Sequence, residues 1–279
     1  MGLESKDMKA WAWIGLGAGV VVATIVVTRS YSDAVALNIM QQAKTEPSYH
    51  ITGDELVSVI IPTYYEVDYI GNTLESIRHQ TYTPIEIIVS DETHDIESID
   101  ATRQICDQYD ATLVHRWIKN VALGRNNGAD EATGDILLFI DADCILPNDY
   151  IEKMVRGLHI EGIHLSHGVD IYQPGGSALG QSGRFFWRQS KPNTYTKFGV
   201  AMYAQDFWLV GAYNGDIDPM LPHQREDKDL GRRVVEMWGA QSLYIDRTAI
   251  IAEAPRRPQS IPGAAPWKNR AWRSGKVID

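Results

Sequence analysis

Cysteine is almost missing from this chain: among 279 residues only Cys106 and Cys144 carry a thiol. They form no metal-ligand spacing and no disulfide framework, so both read as small core residues. Positive charge is also in short supply. The 26 lysines and arginines stand against 36 aspartates and glutamates, a formal charge of -10. A general nucleic-acid binder needs a basic footprint to neutralise phosphates, so no nucleic-acid partner is expected. Apolar residues are not scarce. At 44% hydrophobic and 22% charged, most of the chain has the composition of a globular fold rather than of a disordered one. The length suits one sizeable domain or two small ones.

What the sequence does have is an uncharged run near its start. Trp11 to Thr28 reads WAWIGLGAGVVVATIVVT. At about 1.5 Å per residue, such a helix is near the lower limit for crossing a hydrocarbon core of about 30 Å. Trp11 and Trp13 suit one membrane interface, and Arg29 closes the other end. One transmembrane helix over 11–28, behind a tail of residues 1–10, is therefore expected. The alternative is a cleaved signal peptide, supported by Lys6, Lys9 and Ala34-Val35-Ala36. The apolar part of such a peptide ordinarily spans only about 7–15 residues. Gly15-Leu16-Gly17-Ala18-Gly19 looks like a dinucleotide fingerprint, but that motif has meaning only between a strand and a helix. Here Gly15 and Gly19 could at most let two membrane helices approach closely.

Beyond the run, residues 29–55 read as stalk and linker, with a helical stretch from Ser32 to Lys44 and polar residues from Thr45 to Asp54. A regular alternation follows. Val57 to Ile61, Ile85 to Val89, Thr112 to His115 and Ile136 to Ile140 are short apolar runs with strand character. Tyr69 to Gln80, Ile96 to Tyr109 and Asn126 to Ala132 have helical character, with Ile70, Leu74 and Ile77 on one face of the first. Strands alternating with helices predict an α/β fold built on a mainly parallel sheet. After Asp149 the pattern loosens. Helices are expected over Asp149 to Leu158 and Glu226 to Trp238, and a loop over Gln173 to Gly183. The expected domain covers 56–250, with halves at 56–147 and 148–250. A basic tail over 251–279 carries Trp267 and Trp272, and Pro255, Pro258, Pro262 and Pro266 break any regular element there. Aromatic and basic residues interleaved in this way suit an anionic membrane surface, and a disordered tail equally well.

Ligands of open α/β sheets bind at the carboxyl ends of the strands. Three predicted strands end there in polar chemistry: Pro62-Thr63 with Glu66 nearby, Ser90-Asp91-Glu92, and Asp141-Ala142-Asp143. Two carboxylates two residues apart are hard oxygen ligands suited to Mg²⁺ or Mn²⁺ bridging a diphosphate. Taken alone, the Asp-x-Asp pair is a weak signal, because acidic residues are common in surface turns.

Four blocks now appear in order: VSVIIPTYYE (Val57 to Glu66), IIVSDETHD (Ile87 to Asp95), GRNNGADEATGDILLFIDAD (Gly124 to Asp143) and Glu226-Asp227. Together, over roughly Leu56 to Gly239, they resemble glycosyltransferase family 2, inverting enzymes of the GT-A fold. The resemblance implies that Pro62, Thr63, Glu66 and Asp91 hold the nucleoside and that Arg125 lies beside the nucleotide. It also implies Asp141 at the ribose or metal, Asp143 on the metal, and Asp227 as general base from the acidic pair. The donor would be a UDP- or GDP-sugar and the acceptor lipid-linked or protein-linked, at a membrane. The catalytic domain would be cytoplasmic if the donor is. Ser90 stands where the family often carries another Asp, and Tyr65 where Asn is common. The Gln-x-x-Arg-Trp signature of processive synthases is absent, so a single transfer is expected. Two other functions stay open: a catalytically silent nucleotide-sugar-binding module and a nucleotidyltransferase. The second normally carries a Gly-rich phosphate loop after its first strand, and PTYYEVDY has none.

Overall fold

The structure, a computed structural model, describes residues 33–45, 51–172, 199–217 and 225–254. The apolar run over 11–28, the expected loop over 173–183 and the basic tail from 255 lie outside the described residues. Among the described residues no helix is long and apolar enough to cross a membrane.

The chain alternates as its periodicity predicts, then departs from it. A helix over 33–42 (α1) precedes β1 (Ile51–Thr63), α2 (Val67–Arg78), β2 (Tyr82–Asp91), α3 (Ile96–Gln108), β3 (Thr112–His115), α4 (Val121–Asp130) and β4 (Ile136–Phe139). These are followed by β5 (Cys144–Ile145), α5 (Tyr150–Leu158), β6 (Leu165–Tyr172), β7 (Val200–Tyr203), α6 (Ala204–Leu209), α7 (Glu226–Trp238) and β8 (Leu243–Glu253). One eight-stranded sheet results, in the order β3-β2-β1-β4-β7-β6-β8-β5. Its first four strands are parallel. β7 is antiparallel to both β4 and β6, β6 and β8 are parallel, and β5 is antiparallel to β8.

Both faces of the central strands are buried, which is why their sequences are apolar runs and not alternations. Val57, Val59 and Ile61 of β1, with Ile136 and Leu138 of β4, pack beneath α2 and α5. The intervening Ile60, Leu137 and Phe139 face the other way, onto residues of α4, α6 and α7. Cys106 and Cys144 are buried and free, as the sequence suggests.

Two boundaries differ from expectation, and three strands were not expected. β1 begins at Ile51, inside the stretch expected to be a polar linker. α4 starts at Val121, five residues earlier than the apolar pattern indicates. The Asn120 side chain caps it, accepting from Ala122 N at 3.0 Å and Leu123 N at 3.3 Å, a signal obscured by the weak helix formers that follow. β6, β7 and β8 were not anticipated. β6 carries Gly168 and Asp170 mid-strand, and its pairing with β8 is irregular between His167 and Val169.

Gly128 seats α4 on β1. A Cβ there would lie 2.5 Å from Ile60 Cγ2, so the helix approaches the strand as closely as a missing side chain allows. Gly128→Val is expected to lower unfolding free energy by about 1–3 kcal/mol through overpacking, read as a drop in the urea midpoint at unchanged slope.

Candidate active site

The parallel register places the first acidic position. Thr63 lies opposite Asp91 at the carboxyl ends of β1 and β2, and Pro62 opposite Ser90. Thr63 Oγ1 donates to Asp91 Oδ1 at 2.8 Å, and Thr93 Oγ1 donates to the same oxygen at 2.7 Å. Asp91 is wholly buried and its Oδ2 has no hydrogen-bond partner. Burial pushes its carboxyl above the usual range, partly offset by Thr93 and Thr63. Glu66 is buried at the start of α2, where its carbonyl accepts from Tyr69 N and Ile70 N. Between them the chain turns at Tyr65, whose φ of 57° is left-handed and whose N–H donates to Thr93 Oγ1 at 3.0 Å.

A ring cluster that the sequence reading missed borders these positions. Tyr64 and His94 rings lie 6.0 Å apart, His94 and Trp117 5.7 Å, and His115 and Trp117 4.5 Å. Lys119 Nζ stands 5.4 Å from the Tyr64 ring centre. The available signal was positional: Tyr64, His94 and Trp117 follow the ends of β1, β2 and β3, and His94 and Trp117 are exposed. Such a group offers a flat surface to a base and a cation to a phosphate.

Arg125 joins α4 to the turn after β4 and to the start of α7. Its Nη2 donates to Asp141 Oδ1 at 2.9 Å and its Nη1 to Glu226 Oε1 at 3.1 Å. Its guanidinium lies 5.1 Å from the Tyr213 ring centre. Burial opposes the charge, but Asp141, Tyr213 and Glu226 more than offset it, so the guanidinium stays protonated. Glu226 is the second residue that sequence reasoning placed less well than the structure does. It appeared there only as the neighbour of Asp227.

Asp143 is buried on the turn after β4, and its carbonyl accepts from Ala254 N at 2.9 Å. The next residue reports the local field. Burial first, and then Asp143, Asp141, Glu253 and Asp170, push the Cys144 thiol well above its usual value. No group of three or more ligating side chains is assembled for a metal among the described residues. Asp141 and Asp143 are hard-oxygen side chains that could hold Mg²⁺ or Mn²⁺ together with a diphosphate and water.

Asp227 sits in the first turn of α7 and is buried. Arg225 Nη2 lies 3.2 Å from its Oδ2, and Lys228 N donates to its Oδ1 at 2.8 Å. Burial raises its pKa, Arg225 lowers it, and Glu226 raises it again. Asp229, two residues on, points elsewhere, holding Arg232 and Arg233 at 2.7 Å each. The structure therefore brings Arg125, Asp141 and Glu226 into direct contact, with Asp227 adjoining, and pairs Thr63 with Asp91 on the neighbouring strands.

Removing one partner from a buried ion pair leaves an uncompensated charge, at a cost of about 3–5 kcal/mol. Arg125→Met should lower the unfolding free energy by roughly that amount, measured by urea denaturation. Asp229→Asn, whose partners are more exposed, should cost roughly 1 kcal/mol or less.

The sequence model of Glycosyl transferase family 2 matches residues 58–211. Glycosyltransferase AglE of Haloferax volcanii is 29% identical over 150 residues, covering 52% of this chain and 49% of that protein. An Escherichia coli protein, UDP-Glc:alpha-D-GlcNAc-diphosphoundecaprenol beta-1,3-glucosyltransferase WfaP, is 31% identical over 113 residues, 40% of this chain and 45% of its own. The chain thus spans about half the length of these relatives. Among solved structures, the mannosyltransferase PcManGT from Pyrobaculum calidifontis, in complex with GDP-Man and Mn²⁺, superposes with a TM-score of 0.57 at 19% identity. That match covers 89% of this chain and 72% of the other, and it establishes a shared fold. With more than half its length matched by the family's sequence model, this chain belongs to glycosyl transferase family 2.

Proposed function

We propose that the protein is a membrane-anchored inverting glycosyltransferase. It moves a sugar from a UDP- or GDP-sugar to a lipid-linked or protein-linked acceptor. The observation that carries this is the Asp141–Arg125–Glu226 contact around a buried guanidinium, which sets a candidate metal carboxylate and the helix bearing Asp227 at one place. Family membership supports the transfer chemistry. The GDP-Man and Mn²⁺ of the mannosyltransferase complex, and the diphosphoundecaprenol-linked sugar named for the Escherichia coli relative, support the donor, metal and acceptor classes.

Asp143, with Asp141, would hold the cation. The metal would act as a Lewis acid, neutralising charge on the departing nucleoside diphosphate. Arg125 orients Asp141 through its Nη2 hydrogen bond. Thr63 and Thr93 fix one oxygen of Asp91 and leave the other to accept from the nucleoside, while the Tyr64–His94–Trp117 rings border that position. Asp227 would take the proton of the acceptor hydroxyl as its oxygen attacks the anomeric carbon opposite the leaving group. Arg225 covers Asp227 and must part from it for the hydroxyl to approach.

The roles separate by experiment. Asp143→Asn keeps size but removes the charge that a hard cation needs. Mn²⁺-dependent donor binding, measured by calorimetry, should be largely lost, and unchanged affinity would remove Asp143 from the metal site. Asp227→Asn should slow turnover by about 10²–10⁴-fold, because a general base contributes mainly in the transition state. Donor affinity should hold, and Asp229→Asn should retain activity. Equal losses in the two variants would instead mark damage to the local structure of the helix start, with no base.

The raised pKa of Asp227 also sets a direction. The base form is lost as pH falls through a value above the ordinary carboxylate range, so kcat should decline on the acid side earlier than for a free carboxylate. A rate that stays flat to the normal carboxylate range would contradict the assignment.

A further inference from the structure

Asn126 follows Arg125 on α4 and has no part in the chemistry described so far. Asparagine is a weak helix former, so its place inside a helix calls for another reason. That reason is a contact across 87 residues of sequence. Asn126 Nδ2 donates to Tyr213 O at 2.8 Å, and Tyr213 N donates to Asn126 Oδ1 at 3.0 Å. A primary amide sets one donor beside one acceptor, and here it pairs with backbone as a neighbouring strand would. Aspartate lacks the donor, and leucine lacks both groups.

The backbone that receives this clamp bends sharply. Gly211 and Ala212 have φ values of 89° and 53°, and the second is a non-glycine residue in the left-handed region. Such a conformation persists when its surroundings hold it. Arg233 of α7 does so, donating to Val210 O and, at 2.6 Å, to Ala212 O. Asn120 and Asn126 do so from α4, the former through Nδ2 to Gly215 O at 2.8 Å. The buried Tyr213 ring is thereby fixed. It lies T-shaped to Phe139 at 5.1 Å, and the Arg125 guanidinium stands over it, 5.1 Å from its centre. Both Nη atoms of Arg125 are already engaged, at Asp141 and Glu226. Those bonds fix the edge of the guanidinium, and the ring fixes its plane.

We infer that Asn126 is a positioning residue for sugar transfer. By holding Tyr213 it sets the plane of the Arg125 guanidinium, and so the placement of Asp141 relative to Glu226 and the helix bearing Asp227. The inference rests on the transferase reading above and adds to it a residue that acts through two others. A guanidinium can tilt and keep both hydrogen bonds, but the two carboxylates then shift against each other. Misplacement by about 1 Å can cost roughly 10²-fold in rate.

Asn126→Ala removes the clamp, and Gln80→Ala is its matched control. Gln80 is a buried amide that clamps backbone in the same way, donating to Pro147 O at 2.8 Å and accepting from Ile151 N at 3.0 Å. It bonds to no candidate site residue. Both variants should lower the urea midpoint. Turnover is read as nucleoside diphosphate released from UDP-glucose or GDP-mannose, with Mn²⁺ present and water as acceptor. Asn126→Ala should lower kcat about 10–100-fold with the donor KM held within about threefold, whereas Gln80→Ala should change neither. An unchanged kcat for Asn126→Ala, an equal loss in the two variants, or a loss confined to KM would overturn the role.

A second measurement needs no donor. Glu226→Gln is combined with each variant and the midpoint shifts are compared. Asn126 bonds to Tyr213 and not to Glu226, so the two shifts should add unless they act through Tyr213 and Arg125. With Asn126→Ala the double variant should lose less than the sum, and with Gln80→Ala it should lose the sum. Additive shifts in both pairs would overturn the inference and leave the transferase reading standing. A wild-type chain that binds neither nucleotide sugar with Mn²⁺, measured by calorimetry, would count against the transferase. Non-additivity would then still uphold the placement of the guanidinium by Asn126.

Discussion

The fold converges on one buried cation. Arg125 reaches from α4, packed against the parallel strands, to Asp141 at the end of β4 and Glu226 at the start of α7. A charge left at this point without its partner would carry a large desolvation cost. Each carboxylate is instead shared with a guanidinium that cannot lose its proton. The arrangement is therefore a constraint as well as an attraction, since neither α4 nor α7 can shift without baring charge.

What the sequence disclosed follows from how each element is stabilised. β1, β2 and β4 are covered on both faces, so their side chains read as continuous apolar runs, and the adjoining helices show a regular 3.6-residue spacing. Asp91, Asp141 and Asp143 were legible because they stand where such runs stop. β6 and β8 were not, since their strand character is set by partners distant in sequence. Asp170 and Asp246 are buried within these strands, and an irregularity divides their pairing. Arg125 was placed near the nucleotide by family resemblance, but its contact with Glu226 spans 101 residues and has no local signature. The ring cluster escaped notice for a related reason: Tyr64, His94 and Trp117 belong to three different loops and meet only when the strands align.

The expected polar linker shows the same limit from the other side. Residues 51–56 carry enough polarity to look unstructured, yet they extend β1, where Tyr82 Oη donates to Glu55 O at 2.8 Å and Leu56 N donates to Asp135 Oδ2 at 3.0 Å. Backbone pairing with a neighbouring strand stabilises this segment, and side-chain hydropathy does not report it.

The seat of α4 on β1 has a consequence for how such a protein can diversify. Gly128 stands three residues from Arg125 on the same helix, and no atom can be added between helix and strand at that point. A change there would tilt the helix and carry the guanidinium away from both carboxylates, like a displaced fulcrum moving the far end of a beam. Variation is therefore freer in the loops around Tyr64, His94 and Trp117, where side chains can be exchanged while the beam keeps its bearing.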